Sequence, residues 1–114
     1  MTKEVRAILI HARALIEKGW TKDASARNAA RASVSEYRAD ACAFCTMGAL
    51  HRAYLDCDAF AGELYAATDA LADQVPLRRK GPSRTTLIQY NDNRQRTKEE
   101  ILALFDAALK ETPQ

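Results

Sequence analysis

The stretch Asp40-Ala-Cys-Ala-Phe-Cys-Thr-Met-Gly-Ala-Leu-His-Arg-Ala-Tyr-Leu-Asp56 decides how this sequence is read. Few of its positions are polar on any helical face, and a helix that is apolar nearly all round is a buried one. Residues 40–56 are therefore expected to form a central helix, wrapped by its neighbours. Gly48 lies in its middle, where glycine costs about 1 kcal/mol relative to alanine. The expected offset is the close approach of a neighbouring backbone.

The composition around this stretch points the same way. The chain has 114 residues, and 22 of them are alanine, the strongest helix former. Four glycines and three prolines leave few turns that need special backbone angles. Val5, Val34 and Val75 are the only valines, too few of the β-branched residues that usually cover a pleated sheet. The expected fold is all-α: a compact bundle of four or five helices forming a single domain over residues 1–114. Alanine buries little area, so the large residues Trp20, Phe44, Met47, Tyr54, Phe60, Tyr65 and Phe105 are expected to carry the core. A charged fraction of 28% beside 47% apolar residues is too apolar for a disordered chain, and a net charge of +2 excludes a uniformly polybasic one. The early apolar stretch from Ala7 to Ile16 contains His11 and Arg13 and is far too short to span a membrane, so a cytoplasmic protein is expected.

Periodicity places the other elements. Val5, Ile8, Leu9, Ala12, Leu15 and Ile16 form one stripe, predicting a helix over 3–18. Gly19 is expected to end it as a left-handed cap, with Trp20 folded back on the last turn. Residues 21–38 are helical by propensity but lack a large apolar anchor, and read as irregular or weakly helical. Phe60, Leu64, Ala67, Leu71 and Val75 predict a helix over 59–76, with Asp58 as its cap. Thr86–Tyr90 is too short to assign, and Asn91-Asp92-Asn93 has turn chemistry. Thr97-Lys-Glu-Glu100 is a capping box that opens a last helix.

Three strings taken in order, Gly19-Trp20-Thr21, Cys45-Thr-Met-Gly-Ala-Leu50 and Tyr90-Asn91-Asp92 followed by Arg96-Thr97, resemble a family of small uncharacterised bacterial and bacteriophage proteins known as a domain of unknown function. The family pattern is similar to Gly-Trp, Cys-x-x-Gly-Ala-Leu, Trp-Asn-Asp and Arg-Thr, and here Tyr90 stands where Trp is usual. The resemblance implies no activity. It does single out Cys45, Gly48, Asn91 and Asp92.

Several groups have chemistry to weigh. Cys42 and Cys45 make a Cys-x-x-Cys pair without the βαβ context of a thioredoxin site or the second pair of a zinc site. Reduced core thiols are the expected state of Cys42, Cys45 and Cys57. Cys45, His51 and Asn91 or Asp92 are the residue types of a nucleophile, base and orienter. On one straight helix, however, His51 lies about 120° round from Cys45, too far to share a hydrogen bond. Between Val75 and Lys98 seven basic residues face Asp92 alone. Arg78, Arg79, Lys80 and Arg84 form a basic patch open to phosphate or nucleic acid.

The expectation for function is a small non-enzymatic binding protein whose partner is another protein. The bacteriophage members of the resembled family imply a host-interacting or anti-defence inhibitor as a special case. The alternative is a small enzyme or a binder of small anionic ligands. Its pocket would lie between the Cys45 helix and the Tyr90-Asn91-Asp92 turn, with Arg94 or Arg96 holding the anion. No metal, cofactor or membrane partner is expected.

Overall fold

The computed structural model describes residues 1–111, so the expected domain limit at residue 114 lies outside the described residues. Five helices and three short strands follow in the order α1 (Lys3–Lys18), β1 (Ala26–Arg27), β2 (Ser33–Val34), β3 (Ala43–Phe44), α2 (Thr46–Asp56), α3 (Ala61–Ala72), α4 (Ser83–Asp92) and α5 (Lys98–Lys110). The fold is mostly helical but not all-α, because residues 26–44 contribute a small antiparallel sheet in the order β2-β1-β3. One buried cluster draws side chains from all five helices and from β1 and β3. No helix among the described residues is long and apolar enough to cross a membrane.

Helix α1 forms where its stripe predicts. Thr2 Oγ1 accepts from the Val5 amide at 3.1 Å, and Val5, Ile8, Leu9, Ala12 and Ile16 are buried. Its exit differs from the expectation. Gly19 has φ −170°, which is extended backbone rather than a left-handed cap. The chain runs straight on, and Trp20 forms a parallel bridge with Phe44 instead of folding back. Glycine is needed there for space, since a Cβ would sit 2.3 Å from the Cys42 carbonyl oxygen.

The central helix is shorter than the sequence suggests and starts at Thr46. The residues before it are committed elsewhere. The Cys42 amide donates to the Arg27 carbonyl at 2.9 Å, the Phe44 amide to that of Gly19 at 3.0 Å, and the Cys45 amide to that of Ser25 at 3.1 Å. These bonds pull residues 42–45 into extended backbone. The same pairing turns 21–38 into strands and turns despite its helical propensity, a weak preference that tertiary bonding overrides. Asn28 supports the β1–β2 turn, its Oδ1 accepting from the Ala30 and Ala32 amides, both at 3.0 Å. Where α2 does form it is buried as expected, and Gly48 lies against a backbone: a Cβ would come within 2.0 Å of the Ser25 oxygen.

Helix α3 buries Leu64, Ala67 and Leu71, but Phe60 and Tyr65 are 80% and 66% exposed and are not core residues. Asp58 does not cap it; the Phe60 amide bonds instead to Glu63 Oε1 at 2.9 Å. Residues 90–92 are the last turn of α4 rather than a loop. The capping box of α5 is present as read, with Thr97 Oγ1 and Glu100 Oε1 each accepting from the other residue's amide. All three thiols are free; Cys42 is exposed, while Cys45 and Cys57 are half-buried, so Cys42 is not a core residue.

Candidate functional site

The N-terminus of α2 is assembled from distant pieces of chain. Cys45 is its N-cap, with extended backbone, and its Sγ accepts from the Gly48 amide at 3.2 Å. The first amide of the helix, Thr46 N, has no partner within the helix, as first-turn amides never do. Asn91 of α4 supplies one. Its Oδ1 accepts from Thr46 N at 3.0 Å, from Thr46 Oγ1 at 2.8 Å and from Trp20 Nε1 at 2.8 Å. Its Nδ2 donates to the Thr21 carbonyl at 3.1 Å and to Asp92 Oδ1 at 2.9 Å. Asn91 is 1% exposed and has no free polar atom for a ligand. Its work is to tie α4, α2 and the Trp20 segment together.

Beside this node lies a cavity of ≈ 230 Å³. Its polar lining is Ser25, Glu36, Cys45, His51, Arg84 and Asp92, with Ile88, Met47 and Gly48 among its other wall residues. Helix α4 provides three of these residues at i, i+4 and i+8, the spacing of one helical stripe. Arg84 comes first, Ile88 in the middle and Asp92 last, so a cation and an anion are separated by an apolar spacer. Arg84 makes no ion pair or hydrogen bond among the described residues. Asp92 is fixed through Oδ1, which also accepts from the Asp23 amide at 3.0 Å.

Across the cavity, Glu36 Oε2 lies 2.7 Å from His51 Nδ1, and the Tyr37 ring stacks on the imidazole at 6.4 Å between centroids. Arg52 holds this segment by donating to the carbonyls of Glu36 at 3.1 Å and Arg38 at 2.9 Å. Burial pushes the Glu36 carboxyl up, but its bonds to His51, Ser25 and its own backbone outweigh that and hold it below the usual carboxylate value. Burial also pushes the Cys45 thiol up, opposed by the Gly48 and Met47 amides and reinforced by the nearby Asp92 and Glu36 charges. A thiol raised in this way stays protonated at neutral pH, whereas a nucleophile needs the thiolate. Its sulfur bonds to Gly48 and not to His51.

The residues singled out from sequence separate into four places. Cys45 and Asp92 line the cavity and Asn91 lies sealed behind it. Tyr90 and Arg96 face a different groove together with Arg78, Arg79 and Lys80. Arg84 belongs to the cavity and not to that groove. Arg94 is exposed, and its carbonyl accepts from Lys22 Nζ at 3.0 Å. No three His, Cys, Asp or Glu side chains gather as metal ligands among the described residues. Sequence reasoning missed Glu36, which stands in a stretch without periodicity. It also set His51 aside, because the wheel treated Cys45 as part of a straight helix rather than its cap.

A family model matches residues 1–111, nearly the whole chain, and is described as a family of unknown function, DUF6197. The chain belongs to this family. Neither a curated protein nor a solved structure matches it.

Proposed function

We propose that the protein is a non-enzymatic binding protein that takes a small zwitterion, with an apolar spine between its charges, in the cavity at the N-terminus of α2. The observation that carries this reading is the α4 stripe Arg84-Ile88-Asp92 along the cavity wall. Arg84 suits a carboxylate, which a guanidinium grips through two parallel bonds. Asp92, with Glu36 nearby, suits an amine. Ile88 and Met47 cover the stem between them. Two carboxylates, Glu36 and Asp92, stand against the one guanidinium of Arg84, which favours an amine over a second anion. A protonated thiol and a saturated Asn91 support binding rather than catalysis.

The test is a titration, followed by amide NMR, with a graded series of linear ω-amino carboxylates. Carboxylates and amines of equal length that lack the second charge serve as controls. Saturable shifts at Gly48, Ile88 and Asp92 are expected for the bifunctional series, strongest at one length and lost in Arg84→Gln. No response from any member, or equal response from the controls, overturns the reading.

A protein partner is the second reading, favoured by the exposed aromatics Phe60 and Tyr65 on α3. A host-interacting or anti-defence inhibitor is its special case. Phe60 is the extended N-cap of α3 and lines a groove with Glu4, Ala7 and Cys57 that does not include Tyr65, so the two rings are not joined in one patch, which places this reading second. A pull-down from a bacterial host in which Phe60→Ser and Tyr65→Ser abolish a specific capture would reverse the order.

A further inference from the structure

On the opposite side of α4 is an open groove of ≈ 540 Å³, walled by the α3–α4 connection and by the outer face of the helix. Its cations are Arg78, Arg79, Lys80 and Arg96, and no acidic residue lines it. We propose that this groove binds the phosphate of a nucleotide, presented either free or within a single strand of nucleic acid.

Two of the four cations are structural and two are unengaged. Arg78 donates to Asp73 at 2.6 Å, to the Gly81 carbonyl at 3.3 Å and to Ser83 Oγ at 3.2 Å, which pins the connection onto the start of α4. Arg96 lies with its guanidinium carbon 3.5 Å from the centre of the Tyr90 ring, and bonds to the Tyr90 carbonyl at 2.9 Å and to Glu100 at 3.1 Å. Arg79 and Lys80 are exposed and make no ion pair or hydrogen bond among the described residues. The nearest compensating carboxylates, Asp73 and Glu100, are already taken by Arg78 and Arg96. The groove therefore keeps two uncompensated positive charges, the electrostatic requirement for a phosphate.

The connection is also held in an unfavourable shape. Leu77 has φ 57° and is 98% exposed, so a bulky residue occupies the left-handed region without any burial to offset it. Such a conformation costs about 1–2 kcal/mol and persists where the surroundings impose it, which recurs at ligand-binding segments. The Arg78 bonds pin the residues that follow it, and Arg79 and Lys80 line the groove beside the α4 face. That face offers Thr85, Gln89 and the partly exposed Tyr90, uncharged hydrogen-bonding groups next to the cations. A bare inorganic anion needs none of these. A nucleotide uses both halves of the groove, its phosphate on the cations and its sugar or base on the hydroxyl, amide and phenol groups. The site is separate from the α2 cavity and does not depend on the zwitterion reading.

The full-length protein is titrated with adenosine monophosphate, adenosine, inorganic phosphate and a mixed-sequence single-stranded DNA oligonucleotide, followed by amide NMR. The monophosphate should move amides of residues 77–80 and Gln89, adenosine should not move the 77–80 amides, and inorganic phosphate should compete. If only the oligonucleotide moves them, the proposal stands with a nucleic-acid strand as the phosphate's source, and log affinity should fall against log salt with a slope near −0.7 per engaged cation. Arg79→Ala with Lys80→Ala should weaken binding at least tenfold while the thermal midpoint holds. Glu36→Gln, at the other site, should change nothing in this titration. Unmoved 77–80 amides with all four probes, or full affinity in the double variant, overturn the proposal.

Discussion

The two sides of α4 make opposite use of the polar residues that border them. On the inner face Asn91 is sealed and spends every polar atom on Trp20, Thr21, Thr46 and Asp92. Beside the outer face, in the α3–α4 connection, Arg79 and Lys80 are exposed and make no ion pair or hydrogen bond among the described residues. Three consecutive residues show the contrast best. Tyr90 looks into the basic groove, Asn91 into the core and Asp92 into the α2 cavity. In sequence they read as one motif, but a helix rotates about 100° per residue and sends each to a separate compartment. Adjacency in sequence is therefore a poor guide to a shared site once the segment is helical.

The sharpest way to break this contrast is Asn91→Ala. It strands the Thr46 amide and hydroxyl in a dry interior and takes the acceptor from the half-buried Trp20 indole, and should cost about 3–5 kcal/mol in urea unfolding. A loss below about 1 kcal/mol would mean that the node is not what holds the inner face. Next in size is Gly48→Ala. Its methyl would collide with the Ser25 backbone, which cannot move without breaking the Cys45–Ser25 bond, and a loss of about 2–3 kcal/mol is expected from the same measurement.

A smaller effect comes from the Glu36 carboxyl. Its folded value is depressed below the ordinary 4.5, so its contribution is present above that value and is lost as pH falls through the folded one. Glu36→Gln should therefore flatten the acid limb of the stability curve while leaving neutral-pH folding in place. Cys45→Ser exchanges a weak sulfur acceptor for a preferred N-cap hydroxyl and should raise stability by about 0.5 kcal/mol, read as a small rise in thermal midpoint. In the connection beside the outer face, replacing both Arg79 and Lys80 by alanine should change unfolding by no more than about 0.5 kcal/mol. A large loss there would show that the outer face, too, is structural.

The parts of the fold that were legible in sequence are those governed by local physics. The α1 stripe and the Thr97–Glu100 box depend on neighbours three or four residues away, and both form as read. Gly48 was legible as well, since a glycine inside a buried helix signals a close backbone. The sheet was not. Its strands are two residues each, too short to show alternation, and their partners lie on segments that the sequence separates. Part of the candidate site was visible in sequence: Cys45 and Asp92 as site residues, and Arg84 as a member of the basic patch rather than of this cavity. Glu36 and His51 join them only because residues 42–45 are drawn into extended backbone by Gly19, Ser25 and Arg27, which no periodicity encodes.

The bond between Thr46 and Asn91 spans 45 positions of chain. While the polypeptide is being made from its N-terminus, the leading turn of α2 emerges long before the residue that completes it. Until α4 has left the ribosome, the Thr46 amide and hydroxyl lack the side chain that accepts from them in the finished fold. The Trp20 indole is in the same position, so the first half of this protein cannot finish its architecture until most of the second half has been synthesised.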